Sequence, residues 1–183
     1  MGKLFLEIDE SIRQFIEAQP VFFVGSAPLD PGGHVNVSPK GLDTLRILGP
    51  RTIAYVDLTG SGIETVSHLK ENGRIVLMFC AIQGPPKILR VHGRGKVVEP
   101  GQSEFSSLAS QFPEHEGRRS VILIEVTRIS DSCGFGVPLL KYEGQRSQLK
   151  AWACNQGPEK LNAYRLEKNS ASIDGLPGLE KPA

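Results

Sequence analysis

Apolar and polar positions change rhythm several times along this chain. Ile8, Ile12, Phe15 and Ile16 recur at helical spacing, so residues 9–18 are predicted to be a short amphipathic helix. Asp9 or Ser11 is its candidate cap and Pro20 follows its end. Strand-like runs come next. VFFVGSA (21–27) is apolar and β-rich, PLDPGG (28–33) is a turn by composition, and HVNVS (34–38) alternates. That alternation places Val35 and Val37 on one face and His34, Asn36 and Ser38 on the other, and Pro39 is expected to end the ladder.

LRIL (45–48), Gly49-Pro50 and TIAYVDL (52–58) form a predicted hairpin. A helix over 62–72 carries the stripe Ile63, Val66 and Leu69, with Gly73 placed as its C′ residue. RIVLMFCAI (74–82) has the continuous apolar character of a buried strand. KILRVHGRGKVVE (87–99) alternates, with Gly93 and Gly95 marking a bulge or bend. A second helix is expected over 102–112 and a strong strand over SVILIEVTRIS (120–130). Beyond residue 131 the pattern weakens. DSCGFGVP is a loop, LKYEGQRSQLKAW suits one polar strand or a hairpin, and GPEKLNAYRLEKN (157–169) is a helix opened by Pro158. The Gly- and Pro-rich tail is expected to be irregular.

Five to seven antiparallel strands with few, short helices predict a mainly β fold, a closed barrel rather than a doubly wound sheet. The 183 residues fit one domain, with 131–183 as a C-terminal extension. The net charge of +1 gives no basis for binding nucleic acid or an acidic membrane surface. No window approaches the roughly 20 apolar residues of a membrane span. The acidic start MGKLFLEIDES does not suit a signal peptide, and Leu6 does not suit a myristoylation motif. Cys80, Cys133 and Cys154 form no CxxC, and the four histidines form no HxH or HExxH, so no metal site is expected. Reduced thiols suit a cytoplasmic protein.

Three places carry candidate chemistry. In HVNVSPKG, Ser38 and Lys40 sit together at a strand end, where a hydroxyl and an ammonium suit a phosphate as well as a solvated edge. In DLTGSGIET (57–65), Thr59, Ser61 and two glycines join a strand to a helix start, where unpaired N–H groups bind anions; ordinary capping by Ser61 or Thr59 is the competing reading. Asp57 and Glu64 oppose an anion there. Arg90, within the apolar ILRVHG, needs a partner, a ligand or an outward position.

The order HVNVSPKG, TIAYVDLTGSG, HLKENGRIVLMFCA, KILRVHGRGKV resembles the pyridoxamine 5′-phosphate oxidase-like family over about residues 8–130. The resemblance implies a six-stranded antiparallel FMN-binding split barrel and a homodimer holding FMN in two clefts between subunits. It also implies oxidoreductase activity on a small-molecule substrate, with NAD(P)H a candidate reductant. The cofactor-binding residues it implies are Val35, Asn36, Val37, Ser38 and Lys40 on one strand, Leu58 and Thr59, and Arg90 in L-R-V-H-G; the phosphate would rely on Ser38, Lys40, Thr59, Ser61 and Thr65, with Gly62 in the same anion-type turn. His92 and Tyr142 are candidate neighbours of the flavin. Glu64 and Thr65 stand where the oxidase has an Arg-Lys pair, and Ile88 where it has a glutamine. Those departures speak against the vitamin B6 oxidase reaction itself. A non-catalytic flavin-, deazaflavin- or haem-binding module of the same fold is the alternative.

Overall fold

The chain's strongest apolar runs lie at the centre of one antiparallel sheet. In the structure, a computed structural model describing residues 2–180, eight strands occur: β1 (Leu4–Phe5), β2 (Phe22–Ser26), β3 (Asn36–Lys40), β4 (Leu45–Gly49), β5 (Thr52–Leu58), β6 (Arg74–Cys80), β7 (Ile88–Val98) and β8 (Arg118–Ser132). Their order is β3-β2-β6-β7-β8-β5-β4, with β1 pairing β8 beside that path. Every pairing is antiparallel. The fold is the mainly β split barrel expected, with eight strands rather than six. β1 adds a strand of two residues, too short for any periodicity to reveal.

The split lies between the two edge strands, β3 and β4, which are joined through residues 41–44. β5 is apolar from Ile53 to Val56 because it is buried on both faces there. Ile53 and Tyr55 enter the barrel core with Val24, Leu77, Leu89 and Ile122, while Ala54 and Val56 pack outward with Phe112 and Val121. Helix α1 (Glu10–Glu17) is capped by Asp9, whose carboxylate accepts from the Ile12 N–H at 2.8 Å, and it seats Ile12 and Ile16 in the core. Helix α2 (Glu64–Asn72) buries Val66 and Leu69 and ends at Gly73, whose φ of 70° is the left-handed conformation a C′ glycine supplies. Gly95 lets β7 approach that helix, since a Cβ there would meet Leu69 Cδ2 at 2.8 Å. Gly93 adjoins a register shift in the β7–β8 ladder, the bulge its position suggested.

Two expectations need correction. Pro39 does not end β3; it pairs with Phe23 inside the strand, which an edge position allows because Pro has no N–H to give outward. The predicted helix over 102–112 shortens to α3 (Phe105–Ala109).

The C-terminal region holds no strand or hairpin over 139–152. Its main element is α4 (Gln148–Lys168), broken at Gly157 by a φ of 68°. Pro158 thus begins a second helical segment, as predicted, but the first segment bunches its apolar residues at 151–154 and shows no helical period. Ala153 packs over Gly117, and the tail then turns back across α2 through an isolated bridge between Ala171 and Pro177.

Candidate functional site

The site grows from the end of β5. Asp57 there is buried, with its Oδ1 receiving Lys40 Nζ at 3.1 Å and its Oδ2 receiving Arg119 Nε at 2.6 Å. A bulge makes this possible. Asp57 pairs with Ser120 and Leu58 with Arg118, so Arg119 is the extra residue and its side chain is re-aimed at the carboxylate. Burial alone would raise the Asp57 carboxyl, but Lys40 and Arg119 outweigh it and hold it below the ordinary range. Two cations around one carboxylate leave a positive field at this end of the barrel.

Arg119 also donates to the carbonyls of Gly60 (3.2 Å) and Gly62 (2.8 Å). Asn169, fully buried in the tail, donates to the Gly60 carbonyl at 2.9 Å. The 60–62 loop is therefore gripped by its carbonyls. Thr59 is buried, its hydroxyl donating to the Gly117 carbonyl and accepting from Arg165 Nε at 2.9 Å. Arg165 thus joins the cluster from α4, where burial and the neighbouring Arg119 lower its pKa from the usual value.

Neither Thr59 nor Ser61 caps α2. The N-cap is Ile63, and no side chain covers the first-turn N–H groups. Those donors have no side-chain partner, which is the open cradle an anion needs. Beside it, Asn36 Nδ2 donates to Thr65 Oγ1 at 2.9 Å and Ser38 donates to Asn36 Oδ1 at 3.2 Å. Glu64 opposes an anion: its Oε1 accepts the Ile173 N–H at 3.4 Å, and a Cβ on Gly62 would lie 2.6 Å from its Oε2.

The structure brings Asn36, Ser38, Lys40, Thr59, Gly62 and Thr65 together, with half-buried Leu58 and exposed Ser61 at the margins. The polarity of β3 is the reverse of a core-facing apolar strand. Its polar residues turn toward α2 and Asp57, while Val35 and Val37 are 74% and 63% exposed. Arg90 lies apart on β7, donating to Ser132 Oγ at 3.0 Å. Arg119, Arg165 and Asn169 were missed in the sequence. Arg119 and Asp57 did carry a signal, each being a charge set at the end of a strong apolar run.

A mainly antiparallel split barrel with a polar cleft between an edge strand and a helix start defines the class of this protein. The chain belongs to the pyridoxamine 5′-phosphate oxidase family, whose model matches residues 8–133. It is similar to the pyridoxamine 5′-phosphate oxidase family protein ustO of Aspergillus flavus, at 37% identity over 98% of this chain and 78% of that protein. Among solved structures, it resembles a Clostridium acetobutylicum protein related to general stress protein 26, of the pyridoxinephosphate oxidase family (13% identity, 76% of this chain and 94% of that one, TM-score 0.53). It also resembles HupZ of Group A Streptococcus (21% identity, 68% and 99%, TM-score 0.51). These likenesses show the fold. No helix among the described residues is long and apolar enough to cross a membrane.

Proposed function

We propose that the protein is an FMN-dependent oxidoreductase acting as a homodimer, with the FMN phosphate at the amino end of α2 and the ring along β3. The uncapped first turn of α2, opening beside Asn36 and Thr65 in a chain of this family, is the observation that carries this reading. Ser61, Thr65 and the free N–H groups would hold the phosphate, in the positive field of Lys40, Arg119 and Arg165. When bound, FMN supplies reversible hydride transfer to a small-molecule substrate, with NAD(P)H as a candidate reductant. Asp57, ionised between two cations, anchors Lys40 and serves no proton transfer. The exposed Val35 and Val37 on an edge strand suit a second copy of the chain, whose Arg90 would reach the ring across the interface.

Titration of the purified protein with FMN tests this. Saturable binding with a shifted flavin spectrum is expected. Glu64→Lys, which puts a cation at the α2 start, should tighten binding several-fold. A dimer about twice the 19.9 kDa chain mass is expected in solution. Absence of any flavin binding by wild type and Glu64→Lys alike would overturn the reading.

A further inference from the structure

A second cavity lies apart from the cleft just described. It lies in the split of the barrel, a cleft of about 810 Å³ between α1, the β3–β4 turn and the segment that leads into α4. That volume is in the range of small-molecule sites. Its floor is apolar, with the rings of Phe22 and Phe79 stacked at 5.8 Å beside Ile16 and Ile47. Four cations (Arg13, Arg46, Arg146 and Lys150) line it against two carboxylates, Glu17 and Asp43. Glu17 is 3.5 Å from Arg13 and Asp43 is 2.7 Å from Arg46, so both carboxylates are spent on lining cations. Among the described residues neither Arg146 nor Lys150 is in an ion pair, although Glu116 acts on Lys150 from the adjoining loop.

Two further observations mark the cleft as built for an occupant. Leu42 and Asp43 in its wall have φ values of 62° and 56°, a left-handed conformation that is strained for non-glycine residues and persists where surroundings enforce it. Gln145 enforces it from the roof, accepting the Leu42 N–H at 3.1 Å and donating to the Pro20 carbonyl at 3.0 Å, one bond to each side of the opening. His115, also in the lining, has its Nε2 enclosed without a hydrogen-bond partner.

We propose that this cleft is a second ligand site, distinct from the cofactor cleft, for a small organic anion with a ring-sized apolar body. The rings and aliphatic side chains of the floor take the body. Arg146 and Lys150 take the charge, and His115 Nε2 is placed for a polar substituent. Of the residues the resemblance set near a flavin, Tyr142 lines this cavity instead, and none of those assigned to hold the cofactor does.

The probe is 1-naphthaleneacetate, with the uncharged 1-naphthaleneacetamide as its control, each titrated calorimetrically into the full-length protein with and without FMN. The acid should bind at least ten-fold more tightly than the amide. The surface pair Arg146→Gln/Lys150→Gln should reduce the acid to the amide's affinity and leave FMN binding unchanged. Ile47→Trp, which fills the floor, should abolish binding of both. Equal binding of acid and amide, binding of neither, an acid affinity untouched by the double variant, or displacement of the acid by FMN would each overturn the proposal. The acid–amide comparison and the two variants' effects on it require no flavin to bind, so failure of this site and failure of the cofactor reading are separate results.

Discussion

The barrel, residues 2–132, and the C-terminal quarter, 133–180, are held by different forces. The barrel closes on main-chain ladders around a continuous apolar core. The C-terminal quarter buries few apolar side chains, Ala153 and Leu161 foremost. It is attached instead by polar fingers: Gln145 to Leu42, Arg165 to Thr59, Asn169 to Gly60 and Asp174 to His34. Nearly every finger ends on the cleft between β3 and α2 or on the split. The family model likewise stops at residue 133. The barrel therefore supplies a family-wide frame, and the quarter beyond it sets what the two clefts present. Regions fastened by hydrogen bonds to loops open at lower cost than regions fastened by buried apolar area.

The sharpest test of that contrast sits inside the barrel. Asp57→Asn leaves Arg119 buried with no counter-charge and should cost about 3–5 kcal/mol in urea unfolding. The pH dependence has a defined sign. The Asp57 carboxyl is depressed in the folded state, so its contribution is present above the ordinary aspartate pKa of about 3.9 and is lost as pH falls through the lower folded value. The variant should lack that part of the acid loss. A cost below about 1 kcal/mol would mean the Lys40–Asp57–Arg119 cluster is not what holds this end together.

Arg165→Ala is next in size. It removes bonds to Thr59 Oγ1 and the Arg118 carbonyl and should cost about 1–3 kcal/mol. The loss should be regional. Hydrogen exchange should quicken in α4 and the tail while β6, β7 and β8 keep their protection. Uniform acceleration would show that α4 is integral to the barrel and erase the distinction between the two regions.

How much of this was legible follows the same division. β5, β6 and β8 declare themselves because burial on one or both faces writes a run of Val, Ile and Leu. α1 and α2 show their ends through Asp9 and Gly73. β3 was legible as an alternating strand, yet its direction was not: alternation says which residues share a face, not which face meets the core. The first segment of α4 is short and bunches its apolar residues at 151–154, which leaves no helical period to read. At the site, Lys40, Thr59 and Thr65 could be placed by motif. Arg119 depends on a one-residue bulge, and Arg165 and Asn169 on contacts spanning more than 100 residues. Arg90 drew attention as a charge in an apolar strand, a criterion that Arg119 satisfies more fully by being buried against Asp57.

The smallest expected effect concerns the tail. Asp174 accepts both the His34 N–H (2.9 Å) and a bond with His34 Nδ1 (2.6 Å), tying the tail to the turn before β3. The hydrogen bond from the His34 ring, then that from its backbone, holds the Asp174 carboxyl below its ordinary range. A depressed carboxyl stabilises above its ordinary pKa and ceases to do so as pH falls through the folded value. Acidification should therefore free the tail before the barrel unfolds, seen as proteolytic cleavage within 170–178 while the barrel's circular dichroism is unchanged. Asp174→Asn should show that cleavage at neutral pH and little further change on acidification. If cleavage in both proteins begins only with barrel unfolding, the tail is fastened by Lys70 and Glu99, which bind the Gly178 carbonyl and the Glu180 N–H, and this end of the C-terminal quarter belongs energetically to the barrel.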